Sequence, residues 1–102
     1  MRAIVFMLLA TCTGALAADP PGRAKAQACA VCHGPLGVST APDAPNLAGQ
    51  PRIYVAQQLK SFRDGKRQHE VMSVIAKPLT DDDIADLAEW YASISIEARK
   101  PS

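Results

Sequence analysis

The sequence predicts an all-α fold, on three observations. Apolar residues recur at helical spacing in two segments, Val55/Leu59/Phe62 and Ile84/Leu87/Ala88/Tyr91/Ile94. Ala24, Ala26, Ala28 and Ala30 stud residues 22–33 with Lys and Gln among them, a composition of high helix propensity. No stretch alternates apolar and polar residues as a half-buried strand does.

Each element can be justified in order. The first helix is expected over residues 22–33, with Asp19 and Pro20 as start signals. Residues 34–50, GPLGVSTAPDAPNLAGQ, show no apolar period and are broken by glycine and proline. A loop of that length in so small a domain calls for a reason, and wrapping a ligand is one. Pro51 is expected at the first helical position of RIYVAQQLKSFRDG, with Gly65 as its stop. A short segment, EVMSVIAKP, then ends at Pro78. The last helix starts at Thr80, which forms a capping box with Asp83. Asp81–Asp83 read as a solvated start that suits the positive helix end. The small alanines of the first helix and the Leu87/Tyr91 stripe of the last predict a close crossing of the two.

The N-terminal stretch reads as a leader. Arg2 is the sole charge before Asp19, residues 3–10 (AIVFMLLA) are apolar, and ALA at 15–17 offers a small-x-small cleavage site. Residues 1–17 are therefore expected to be a secretory signal peptide and residues 18–102 one domain. The apolar run falls well short of the roughly 20 residues that span a bilayer. A rival reading makes LATC at 9–12 a lipoprotein box on Cys12, but Thr11 is a poor residue there. The chain of 102 residues carries 11 basic and 10 acidic side chains, and losing Arg2 balances them. That neutrality gives nucleic-acid binding no support. An exported domain this small needs a staple beyond its core. A C-x-x-C disulfide closes too short a loop to serve.

The chemistry concentrates in ACAVCHGPLG, residues 28–37. On a helix Cys29, Cys32 and His33 share one face. Two thiols can flank a porphyrin edge there while the imidazole ligates its iron, the c-type haem attachment pattern. A thioredoxin-like dithiol would be expected beside a βαβ pattern, which is absent. Structural zinc needs four ligands, and His69 is the one other candidate once the leader is gone. A plain disulfide or inert thiols also remain open, with haem the favoured reading. For the iron's other side the candidates are Met72 and His69, since Met1 and Met7 lie in the leader. Met72 is preferred as a soft thioether ligand, although methionine is also common core filler. His69, in the polar run RQHE, is expected to face solvent. A ligating histidine commonly donates its second nitrogen to a carbonyl, and Pro45 is the candidate, unless it merely stiffens the loop.

Taken together, CAVCHGPLGVS, PNLAGQPRIYVAQQLKSFRDGKR and VMSVIAKPLTDDDIADLAEWYAS resemble a class I bacterial cytochrome c of the c553 type. They are also similar to one half of the two-haem periplasmic cytochromes. The resemblance implies a small class I cytochrome c fold, about four helices around one haem c bound through Cys29 and Cys32. It implies His33 and Met72 as axial iron ligands and supports Pro45 as the carbonyl that orients His33. It further implies a non-enzymatic, periplasmic carrier of single electrons in the respiratory chain of a Gram-negative bacterium. Such a carrier takes electrons from a membrane quinol-oxidising complex and passes them to an oxidase, reductase or peroxidase. It has no stable membrane insertion after signal cleavage. The alternative is a ligand-binding or peroxidase-like haem protein with an open sixth position. Lys60, Arg63, Lys66 and Arg67 gather positive charge before Met72. They are read either as a docking patch for an acidic partner or as residues suited to a helix C-terminus.

Overall fold

The computed structural model describes residues 10–102. Most of the apolar run of the expected signal peptide, residues 1–9, lies outside the described residues, and residues 10–20 carry no regular structure. Five α-helical segments follow: α1 (Gly22–Lys25), α2 (Ala30–His33), α3 (Arg52–Asp64), α4 (Met72–Ala76) and α5 (Asp81–Ser93). A 3₁₀ turn at Ala26–Ala28 joins α1 to α2, and Lys25, Ala26 and Cys29 all keep right-handed helical angles. Residues 22–33 therefore run as one helical rod with a tightened middle. Among the described residues there is no strand, and no helix is long and apolar enough to cross a membrane.

Helix α5 organises the rest. It packs against α1 on one side and α3 on the other, and α3 in turn packs against α4. Ile84, Leu87, Ala88 and Tyr91 are buried along it. Ala26, Leu87 and Tyr91 form the core cluster, with Leu59, Leu79, Trp90 and Ile94 packed around it. The predicted crossing is present, and Gly22 makes it close. A Cβ built there would lie 2.0 Å from Asp86 O and 2.7 Å from Trp90 Cβ.

Local signals explain most of the helix ends. Gly65 ends α3 at φ 80°, ψ 5°, the left-handed geometry that glycine adopts without a steric cost. Thr80 Oγ1 accepts from Asp83 N–H while Asp83 Oδ2 accepts from Thr80 N–H, each at 3.0 Å, a complete capping box. Pro51 stands one position earlier than expected. Its ψ of 135° makes it the N-cap of α3, and its carbonyl accepts the Val55 N–H at 3.1 Å.

The charged residues correct the sequence reading at the start of the last helix. Asp81–Asp83 are not simply a solvated helix start. Asp83 Oδ1 meets Lys25 Nζ at 2.9 Å, Asp86 pairs with the same ammonium, and Asp81 pairs with Arg63 at 2.9 Å. The basic cluster is partly engaged within the chain. Arg63 also donates to the Leu79 carbonyl at 3.1 Å, and Arg67 donates to Gln58 at 2.7 Å and lies over the Phe62 ring. Lys60, Lys66 and Arg67 of that group are exposed with no ion pair among the described residues. Helical periodicity places residues along one helix but gives no sign of which distant charge they will meet.

The Lys25 ammonium and the Thr80 cap hold the Asp83 carboxyl at about 2, below its ordinary 3.8. A folded-state value below the unfolded one favours the ionised form in the fold. The stabilisation is therefore present above about pH 4 and lost as the pH falls toward 2. Asp83→Asn keeps the cap acceptor but removes the charge. The variant holoprotein is expected to have a lower denaturation midpoint than the parent at neutral pH, with the gap closing across that acidic window. A gap that stays constant into acid would assign the loss to packing instead.

Candidate haem site

The end of the first helical rod presents three chemically active side chains. Cys29 is half-buried, Cys32 is exposed, and both are free thiols. His33 is 8% exposed, the one buried polar residue among those described. Its Nδ1 lies 2.8 Å from the Pro45 carbonyl oxygen. A carbonyl can only accept, so the Nδ1–H donates, and the lone pair is left on Nε2. That Nε2 faces the Sδ of Met72, at the start of α4.

The loop after the rod brings Pro45 to this position. Gly34 follows His33 directly with φ 82°, and a Cβ there would sit 1.8 Å from Val38 O. Glycine is what allows the chain to turn back so tightly. Ser39 ties the returning loop to the rod: its Oγ is 3.0 Å from Cys32 O and 2.8 Å from Ala41 O, its one proton serving one carbonyl at a time. Asn46 Oδ1 accepts from Ser39 N–H at 2.6 Å. Leu47 and Ala48 both donate to Gly37 O, and Gly49 donates to Tyr91 O at 2.9 Å. The irregular segment is thus pinned at both ends, to the rod beside His33 and to α5.

Electrostatics separate the readings of the two cysteines. Burial pushes the Cys29 thiol above its ordinary range, and the Tyr91 hydroxyl beside it opposes this only in part. Burial likewise raises Tyr91, with Cys29 adding to the shift. A redox dithiol needs an exposed leading cysteine with a depressed pKa; here the leading cysteine is the more buried one and shifted the other way. Among the described residues no three His, Cys, Asp or Glu side chains converge as on a bare metal ion.

The donor set does fit a covalently attached haem. Two free thiols and an imidazole share one helical face, the imidazole has its lone pair directed at a thioether, and the Tyr91 hydroxyl beside Cys29 is buried with no hydrogen-bond partner. The segments bearing these residues also expose apolar side chains: Val31 between the cysteines, Leu36 and Val38 in the loop, Val71 and Ile75 around Met72. A cavity of about 560 Å³ opens elsewhere, between the end of α3 and α4. Arg63, His69, Ser73 and Lys77 line it, and none of Cys29, Cys32, His33 or Met72 does.

His69 has a role that its polar surroundings did not announce. Its ring is exposed as expected, yet Nδ1 accepts from the backbone N–H groups of both Val71 and Met72 at 3.2 Å. A usable signal was its place three residues before Met72, ahead of a short apolar run.

Comparison with known proteins agrees with this geometry. The family model described as Cytochrome c matches residues 21–95. Cytochrome c-554(548) of Halomonas halodenitrificans is 41% identical over 75 residues, covering 71% of this chain and 90% of that protein. Cytochrome c4 of Pseudomonas aeruginosa is 44% identical over 72 residues, covering 71% of this chain but 36% of the relative. The crystal structure of reduced recombinant cytochrome c4 from Pseudomonas stutzeri superposes with a TM-score of 0.70 at 34% identity, over 78% of this chain and 47% of that one. The chain thus spans less than half the length of the cytochromes c4 it matches. A helical rod ending in two thiols and an imidazole, a loop folded back to that imidazole and a family match across all of it lead to one assignment: the chain belongs to the cytochrome c family, whose haem c is covalently bound.

Proposed function

We propose that this cytochrome carries single electrons through a haem c held by thioether bonds to Cys29 and Cys32, with His33 and Met72 as the two axial iron ligands. The observation that carries the reading is His33 itself, with Nδ1–H committed to Pro45 O at 2.8 Å and Nε2 facing Met72 Sδ. Haem c supplies the one-electron ferric/ferrous couple. Pro45 holds the imidazole in one tautomer and one orientation and strengthens Nε2 as a donor. Met72 would favour the reduced state through its soft sulfur. Together the two side chains leave no position for a small molecule or a water. A site closed in this way would let an electron come and go without any ligand being gained or lost. The leader-like pattern of residues 1–17 and the resemblance support a periplasmic location, between a quinol-oxidising donor complex and an oxidase, reductase or peroxidase.

The test is the visible spectrum of holoprotein in both redox states, with and without carbon monoxide. The parent is expected to be low-spin and indifferent to the gas. Met72→Ala is expected to turn high-spin, bind carbon monoxide and fall in reduction potential by on the order of 0.1 V, within the ~0.8 V that axial ligation spans. Carbon monoxide binding by the parent would instead indicate an open iron and a ligand-binding or peroxidase-like protein.

A further inference from the structure

We propose that His69 is a positioning residue for the axial methionine: its imidazole caps the first turn of α4 and fixes the backbone from which the Met72 thioether projects. The inference rests on the reading of Met72 as an iron ligand. Four hydrogen bonds define the cap. Nδ1 accepts from Val71 N–H and Met72 N–H, each at 3.2 Å. His69 N–H donates to Ser73 Oγ at 3.0 Å, and Ser73 N–H donates back to His69 O at 3.0 Å. The turn that leads into α4 therefore starts at the His69 carbonyl, and His69 takes there the place that Asn, Asp, Ser or Thr usually takes at a helix start. Its single Nδ1 lone pair is shared by two amides that are otherwise orphaned, as at any helix start.

The need for such a cap follows from how little else holds α4. The helix has five residues and buries only Ala76, and a helix this short does not persist without outside support. Val71, Val74 and Ile75 are exposed, and so is the whole link from Asp64 to Glu70. The ligand-bearing turn thus lies between an exposed link and one buried alanine. His69 joins the two, and its bonds go to the amide of Met72 itself and to that of its neighbour.

The cap's action is distinguished from general stability by its locality. Losing it should favour detachment of Met72 by about fivefold, the equilibrium factor of a typical N-cap. Ferric holoprotein of the parent, His69→Ala, His69→Asn and Asp83→Asn would be titrated with imidazole, while the thioether–iron absorption band and the amide exchange of Val71 and Met72 are followed. His69→Ala is expected to bind imidazole about fivefold more tightly, with faster exchange at those two amides. His69→Asn, whose Oδ1 can stand in for Nδ1, is expected to restore parental behaviour. Asp83→Asn, which weakens the α1–α5 pairing, is expected to leave both readouts unchanged. A band present but indifferent to His69→Ala would overturn the cap's role. So would an equal effect from Asp83→Asn, or a failure of His69→Asn to restore. Absence of the band from the parent would overturn the Met72 reading, and the cap's role with it.

Discussion

Cys29→Ala/Cys32→Ala is expected to yield a chain without covalent haem, without most of its helical circular dichroism and without a cooperative unfolding transition. The reason is the size of the protein's own core. The buried hydrophobic residues among those described are Ala26, Ala48, Val55, Phe62, Ala76, Ile84, Leu87, Ala88 and Tyr91, and of the large side chains only Ile84 is fully enclosed. Four of the nine are alanines, which remove little apolar surface from water at ~25 cal/mol per Å². Ordering the backbone costs roughly 1–2 kcal/mol per residue, and net stability is only about 5–15 kcal/mol even in well-filled domains. Val31, Leu36, Val38, Ile53, Tyr54, Val71 and Ile75 meanwhile leave apolar surface outside that core. A haem tethered to Cys29 and Cys32 stays on the unfolded chain, so it supplies the difference through the apolar surface it covers and the iron ligation it completes only in the fold. Far-ultraviolet circular dichroism with a denaturant titration decides the matter. A cooperatively folded double variant would mean that the packing of α1, α3 and α5 suffices by itself.

Gly22→Val is the second large effect expected, about 3 kcal/mol or more of destabilisation, at or beyond the upper end of the usual cost of overpacking. The obstruction is backbone: Asp86 O would be 2.0 Å and Asp86 C 2.7 Å from the new Cβ, and neither can swing aside as a side-chain tip could. Relief requires α1 to lift from α5, which separates Ala26 from Leu87 and Tyr91 and parts Lys25 from Asp83 and Asp86. Gly22→Ala should be destabilising too. That reverses the ordinary gain of ~0.4–1 kcal/mol for Gly→Ala at an unstrained position. Denaturant midpoints of the two holoproteins against the parent measure this, and a Gly22→Ala protein as stable as the parent would show that the helices have room to separate.

These two cases mark where the sequence was legible. C-x-x-C-H, the Gly65 stop and the Thr80/Asp83 box are local patterns, complete within a few residues, and the structure contains each of them. The apolar stripe of the last helix was readable for the same reason, since periodicity alone selects the buried face. Gly22 was not readable. In sequence it is a weak helix former near a helix start, and only the approach of Asp86, far along the chain, gives it meaning. Arg63 and Asp81 looked like solvent-facing charge because each is stabilised by the other across the α3–α5 gap. His69 resembled a solvent-facing side chain because its partners are backbone amides, and only its place three residues before Met72 hinted at them.

The crossing of α1 and α5 also bears on when the protein matures. Lys25 and Asp86 are 61 positions apart, and Tyr91, which helps to cover Cys29, lies later still. A chain emerges from synthesis N-terminus first. Cys29, Cys32 and His33 therefore come into reach well before the helix that will enclose them exists. During that interval both thiols are as accessible as in any unfolded polypeptide, and the barrier to attaching a bulky planar group is lowest. Closure of α5 over Gly22 half-buries one of the two sulfurs, and a core too small to close without the haem leaves that closure until after attachment. The layout thus sets an order of assembly, with cofactor attachment first and closure second, so a variant that closed too early would be expected to escape haem loading altogether.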